Sequence, residues 1–317
     1  MVNDTETVTL KKTHTRETGV ALVLSGACLW GISGNVAQHL FNTQSVDPGW
    51  ITSVRMLVSG VLLLLLTSLR DSGSVWKIWM SRSSRRSLLV FGLIGMIGAQ
   101  YTYFEAVAAG NAATATLLQY LNPVLILIYF SAKKRRWPAG TEQIGIVLAL
   151  VGVFFIATQG RPSQLSIAPA AIFWGLLSAI GGAVYSTQPS RLLQRWGAAP
   201  VVGWGMLIGG TVMCFFYPPW IYTGHISLNT FAAILFVIII GTLVAFYLYV
   251  ASLKYLKPME TSLLGCAEPL SAAAVNVIWM HVAFTFFDWV GSALIIGTVF
   301  ILSLARKENQ SNHAITR

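Results

Sequence analysis

The chain has 317 residues, of which 55% are hydrophobic and only 10% charged. An ordinary soluble domain carries charge on roughly a quarter of its residues, so this chain cannot build the wetted surface of a soluble protein of its length. A net charge of +10 would suggest nucleic acid in a soluble protein, but here the basic residues sit in short connectors between apolar blocks, which a membrane explains better.

Residues 1–18 are polar and include Lys11, Lys12 and Arg16. They read as a disordered cytoplasmic tail. The apolar run behind them is too long for a signal peptide and lacks a small-residue cleavage site. Ten apolar blocks follow, at 19–40, 50–69, 87–107, 111–130, 141–158, 168–188, 199–218, 229–250, 259–280 and 287–304. Each is close to the ~20 residues that a helix needs to cross hydrocarbon. The unbroken run Leu62 to Leu66 excludes the alternating polarity of a barrel strand. The fold class is therefore all-α, a polytopic membrane protein of ten transmembrane helices. Residues 19–158 and 168–304 are read as two five-helix units, joined by an outer linker at 159–167 and followed by a cytoplasmic tail at 305–317.

The basic residues orient the chain. With the N-terminus inside, nineteen of the 21 lysines and arginines fall in the tails and in the connectors 2–3, 4–5, 6–7 and 8–9. Arg161 is the exception among the outer connectors, and Arg55 lies within the second helix. This bias places both termini in the cytoplasm of a multi-pass cell-membrane protein. Trp50, Trp137, Trp196, Trp220 and Trp289 fall near helix ends, where aromatic belts form. The basic connector 70–86, with Trp76 and Trp79, either rests on anionic inner-leaflet lipid or is a plain solvated loop.

The chain also repeats itself. An offset of 146 residues takes Tyr103 to Tyr249, Leu117-Leu118 to Leu263-Leu264, Asn122-Pro123 to Glu268-Pro269, and Gly145 to Gly291. An offset of 144 takes Trp30-Gly31 to Trp174-Gly175. Because each half has an odd number of helices, the second enters the membrane from the opposite side, so the halves form inverted repeats. Such repeats provide two related conformations, one open to each face, which is the main argument for a carrier.

The candidate site residues are polar or aromatic groups inside spans, where ionisable side chains are costly, roughly 2.5–3.5 kcal/mol each on insertion scales. Glu268, in mid-span before Pro269, either exchanges a proton during transport, pairs with a cationic solute, or is a structural acid. Glu105 is a second candidate for proton coupling at the outer end of its helix, or a partner for Arg55. Gln119, Tyr120 and Asn122 lie close together ahead of or beside Pro123, which frees a backbone carbonyl on Gln119, as Pro269 does on Gly265. Trp30, Asn35, Tyr101, Tyr103, Trp174, Tyr185 and Tyr247 complete the candidates for solute binding. Arg55, Pro123, Pro269, Gly31 and Gly175 are expected to be structural. Cys28, Cys214 and Cys266 lack metal or disulfide spacing, and the histidines are scattered, so no metal is expected. Gly92 and Gly95 lack the context of a phosphate loop. No cofactor and no enzymatic activity are expected. The expected partners are a small-molecule solute, membrane lipids and protons as a coupling ion, with no nucleic acid.

The stretches Ala112 to Pro123 (AATATLLQYLNP) and Glu260 to Pro269 (ETSLLGCAEP), the paired Trp-Gly motifs and Arg55 together resemble the ten-helix EamA branch of the drug/metabolite transporter superfamily. The resemblance covers residues 19 to 304. It departs where many relatives carry a glutamate after helices 4 and 9, since KKRRW and MHVAF stand there without an acid. The resemblance implies secondary transport of a small metabolite by alternating access, an amino acid or related compound with export favoured. Uptake of a choline-like cation, or a non-transporting receptor or scaffold, are the alternatives.

Overall fold

A computed structural model describes residues 3–70, 72–161, 164–225, 227–256 and 258–315; side chains at 3–15, 70–74, 257–259 and 304–315 lie outside the description. Lys257 and Arg317, counted in the charge bias, are among the residues not described. Ten helices are long and apolar enough to cross a membrane: α1 (Arg16–Gln44), α2 (Pro48–Leu69), α3 (Arg82–Ala109), α4 (Ala112–Lys133), α5 (Gly140–Thr158), α6 (Pro169–Thr187), α7 (Ala198–Phe216), α8 (Leu228–Ser252), α9 (Glu260–Ile278) and α10 (Phe286–Ser303). The helix containing α1 begins at Asn3, so the tail expected to be disordered is helical. The stretch 3–18 has neither glycine nor proline to stop it. The last helix likewise runs on to Ile315.

The two halves are inverted five-helix repeats, and the offset of 146 governs backbone as well as sequence. The α4 span is made of Ala112–Gln119 and Asn122–Lys133, and α9 is interrupted between Leu264 and Ala267. Pro123 and Pro269 each lie in the first turn after the break, where a missing N–H leaves no helical bond unmade. A π-helical stretch at Phe91–Met96 in α3 has its counterpart at Phe236–Val244 in α8. The starts of α5 and α10 match too. The Ala139 N–H donates to Glu142 (2.7 Å), and the Thr285 N–H donates to Asp288 (2.8 Å). Arg136 holds both oxygens of Glu142, and Gln159 donates to Asp288. The connectors 4–5 and 9–10 are thus each closed by an acid one turn into the next helix.

Packing follows the same pseudo-two-fold relation. The closest helix pairs are α2 with α7, α5 with α10, α3 with α6, and α1 with α8 and α9. Glycines set these distances. A Cβ on Gly181 would lie 2.2 Å from the backbone of Gly98, and one on Gly31 would lie 2.5 Å from the Glu268 carbonyl oxygen. One on Gly175 would meet the Leu118 side chain at 2.5 Å.

Ten spans return the C-terminus to the face that carries the N-terminus; we call this the near face. Toward the far face, α1, α4 and α9 are locked by a buried polar cluster. Gln38 accepts from the Ala112 N–H (2.8 Å) and from the Asn276 amide (2.7 Å). The Asn276 amide also donates to Asn35 (2.8 Å), and Asn35 donates to the carbonyls of Gly31 and Ala272, both at 3.0 Å. Gln38 thereby satisfies an N–H at the start of α4 that has no intrahelical partner.

Two outcomes test this packing. Gly181→Ala is expected to destabilise the protein by roughly 1–3 kcal/mol, read as a lower thermal midpoint in detergent, because backbone cannot yield to the added methyl. Gly297→Ala, with nothing within 4 Å, should leave the midpoint unchanged or raise it. Asn276→Ala removes bonds worth about 1–3 kcal/mol if their partners stay buried. With all three cysteines replaced by serine, Ala99→Cys should then react about tenfold faster with an impermeant maleimide from the far face. An unchanged rate contradicts the seal.

Candidate functional site

The breaks in α4 and α9 and the π-helical part of α8 surround a cavity of about 260 Å³ in the middle of the bundle. This is slightly below the ~300–1,000 Å³ common for small-molecule sites. Breaks and π turns free backbone groups, which hydrocarbon tolerates only where protein or water answers them. The Tyr120 hydroxyl donates to the Gly265 carbonyl (2.7 Å) across the gap between the two interrupted helices. The Gly265 carbonyl, expected from the sequence to be freed by Pro269, is therefore answered within the protein. The same hydroxyl lies 3.2 Å from Glu268 Oε2.

Of the residues singled out from sequence, the fold brings Trp30, Arg55, Tyr103, Gln119, Tyr120, Asn122, Pro123, Tyr185 and Glu268 to this one cavity. Gln119 is fixed by donation to Ser178 (2.7 Å) and to the Ala99 carbonyl (3.1 Å). The Tyr103 hydroxyl is bonded to Thr116 at 3.0 Å. Trp30 stands against Tyr249 (centroids 5.0 Å apart) and Phe246 (5.8 Å), forming an aromatic wall beside Glu268.

Four of the expected binding residues do not reach the cavity. Asn35 is spent on the far-face seal, five residues along α1 from Trp30 and so on a different face. Tyr101 bonds to Tyr217 (2.8 Å) and packs against Trp174, so both of these expected residues stand outside. Tyr247 is exposed on the outside of α8. Glu105 also lies outside the cavity, beside Tyr101 one turn earlier. The anticipated Arg55–Glu105 pair is not formed. Arg55 instead donates to Gln100 and stacks over Phe104 at 3.9 Å. Gln100 and Phe104 are four apart and share the face of α3 that meets α2, while Glu105 is turned about 100° away.

Ser33, Phe104, Thr242 and Phe246 line the cavity without having been marked in the sequence. The available signal is helical spacing, since Ser33 is one turn from Trp30, and Phe246 and Thr242 are one and two turns from Tyr249. The cavity is shut at one end and open at the other. Arg55, Tyr103 and Phe104 are buried, whereas Ser186 and Ser262, on the near-face halves of α6 and α9, are exposed. Among the described residues no cluster of three or more His, Cys, Asp or Glu could hold a metal.

The profile of the EamA-like transporter family matches residues 17–158 and 169–304. An uncharacterized inner membrane transporter of Salmonella typhimurium, YicL, is 36% identical over 286 residues, covering 90% of this chain and 95% of its own. The aromatic amino acid exporter YddG of Ancylobacter novellus is 24% identical over 180 residues, covering 51% of this chain and 58% of its own. A solved crystal structure, 20% identical, matches with a TM-score of 0.61 over 92% of this chain and 99% of that one, which shows the shared fold. With its ten spans, its inverted halves and a polar cavity at their centre, the chain belongs to the EamA-like transporter family, whose fold moves a small solute across a membrane.

Proposed function

We propose that this protein exports an amino acid or a compound of similar size and polarity from the cytoplasm, exchanging it for protons by alternating access. The observation that carries the reading is Glu268, among the described residues the one acidic side chain on the cavity wall, facing aromatic rings and backed by Tyr120. The charge bias supports both termini in the cytoplasm, so the near-face opening faces the cell interior. There an ionised Glu268 receives a solute ammonium. At the opposite face, protonation of Glu268 removes that attraction, and the carrier returns with a proton instead. A carboxylate that cannot hold both at once links the two fluxes. The name of the Ancylobacter relative supports amino acid export, and the small cavity suits a solute of that size.

A cationic solute taken up by the cell is the second reading, favoured by the Trp30, Phe246 and Tyr249 rings beside the acid.

Purified protein in vesicles distinguishes them. Amino acid efflux is expected to accelerate when the receiving side is acidified, and to slow when the donor side is acidified, because a protonated Glu268 no longer recruits an ammonium. Glu268→Gln should remove this pH dependence in a protein that still folds. Unchanged gradient dependence in that variant assigns Glu268 to structure, and strong competition by choline in place of amino acids supports the second reading. No flux across a broad metabolite panel contradicts the export proposal.

A further inference from the structure

The cavity contains a second charge that the proton cycle does not use. Arg55 is 6% exposed, lines the same cavity as Glu268, and lies on α2 toward the closed end. Its guanidinium donates to Gln100 through one terminal nitrogen and stacks over Phe104, but its buried Nε–H has no partner. Among the described residues neither Arg55 nor Glu268 forms an ion pair within 4.0 Å. An unpaired buried charge is costly, and two opposite charges left apart in one cavity forgo the attraction that would offset their desolvation. The terminal nitrogens of a guanidinium offer a fork that a planar carboxylate takes in two parallel hydrogen bonds.

We infer that Arg55 and Glu268 form a two-pole clamp for a zwitterion, in which Arg55 takes the α-carboxylate of an amino acid and Glu268 takes its ammonium. The Trp30, Phe246 and Tyr249 wall then receives an apolar or aromatic side chain. The clamp rests on the amino acid reading above and sharpens it, because both poles must be filled. An amine without a carboxylate leaves the Arg55 guanidinium unanswered, and a carboxylic acid without an amine leaves Glu268 unanswered. Discrimination by a buried polar group left without its partner is stronger than discrimination by size. It is also asymmetric in space: the carboxylate lies toward the closed end and the ammonium toward the breaks in α4 and α9, next to Tyr120.

The test uses the full-length protein in lipid nanodiscs and three probes that differ in one group: phenylalanine, phenethylamine without the carboxylate, and 3-phenylpropionate without the amine. Binding is read by calorimetry. Wild-type protein is expected to bind phenylalanine about tenfold or more tightly than either analogue, the effect of one lost charged hydrogen bond. Arg55→Gln should weaken phenylalanine by a similar factor and leave phenethylamine unchanged, while Glu268→Gln at neutral pH should weaken phenylalanine and leave 3-phenylpropionate unchanged. Equal affinity of wild-type protein for all three probes overturns the clamp without any variant having to fold, as does absence of phenylalanine binding. Arg55→Lys, which keeps the charge but loses the fork, should recover only part of the affinity, and full recovery contradicts the bidentate contact. If the clamp fails while vesicles still transport some amino acid down a pH-dependent path, the export reading survives; if no solute moves, that reading falls with it.

Discussion

The bond from the Tyr120 hydroxyl to the Gly265 carbonyl ties the structure together at its centre. Hydrocarbon offers no water, so a helix that breaks inside a membrane must have its freed groups answered by protein or by a wet cavity. Here two helices break at equivalent places in the two halves, and a side chain from one break answers the backbone of the other. The arrangement fixes the distance between the half-helices, holds Glu268 within reach of the same hydroxyl, and keeps the middle of the bundle polar. A phenol has one proton to give. It is shared between a carbonyl at 2.7 Å and a carboxylate at 3.2 Å, so the charge on Glu268 bears directly on how firmly the two breaks are joined.

The same constraint explains why the two ends of the cavity differ. The far face is closed by Asn35, Gln38 and Asn276. The offset of 144 places Ala179 and Gly182 on α6 where α1 has Asn35 and Gln38. Those residues have no side-chain hydrogen bonds to offer, so the near face has no matching lock. The inverted repeats therefore have similar backbones and dissimilar seals, and the conformation described here is the one in which the polar seal is made. The π-helical stretches in α3 and α8, each at the cavity or against the glycine-rich α6 and α7, place the least regular backbone where the two halves meet.

Much of this was legible in the sequence because it depends on length and period. Blocks of apolar residues locate all ten spans to within a few positions, and Asn122-Pro123 with Glu268-Pro269 mark both breaks. The helical extension to Asn3 is not legible from the polarity of residues 1–18, whereas the absence of glycine and proline from 3–18 lets the helix continue. Site residues were harder. A polar group in a span is known to face protein, but Asn35 and Trp30 on one helix face a seal and a cavity respectively, and only the crossing of α1 with α9 distinguishes them. Arg55 and Glu105 both lie toward the outer side in the sequence, yet the face of α3 toward α2 presents Gln100 and Phe104. Glycine contacts such as Gly181 on Gly98 were visible as composition and became specific only when two helices met.

The central claim is that the two breaks act as one unit through Tyr120, and Tyr120→Phe in reconstituted vesicles tests it most directly, since the ring remains and only the hydroxyl is lost. The account predicts a folded protein whose thermal midpoint falls by a few degrees, about the effect of one hydrogen bond, with flux reduced by about tenfold and its pH dependence flattened. Flux and pH dependence equal to those of the parent protein would contradict it.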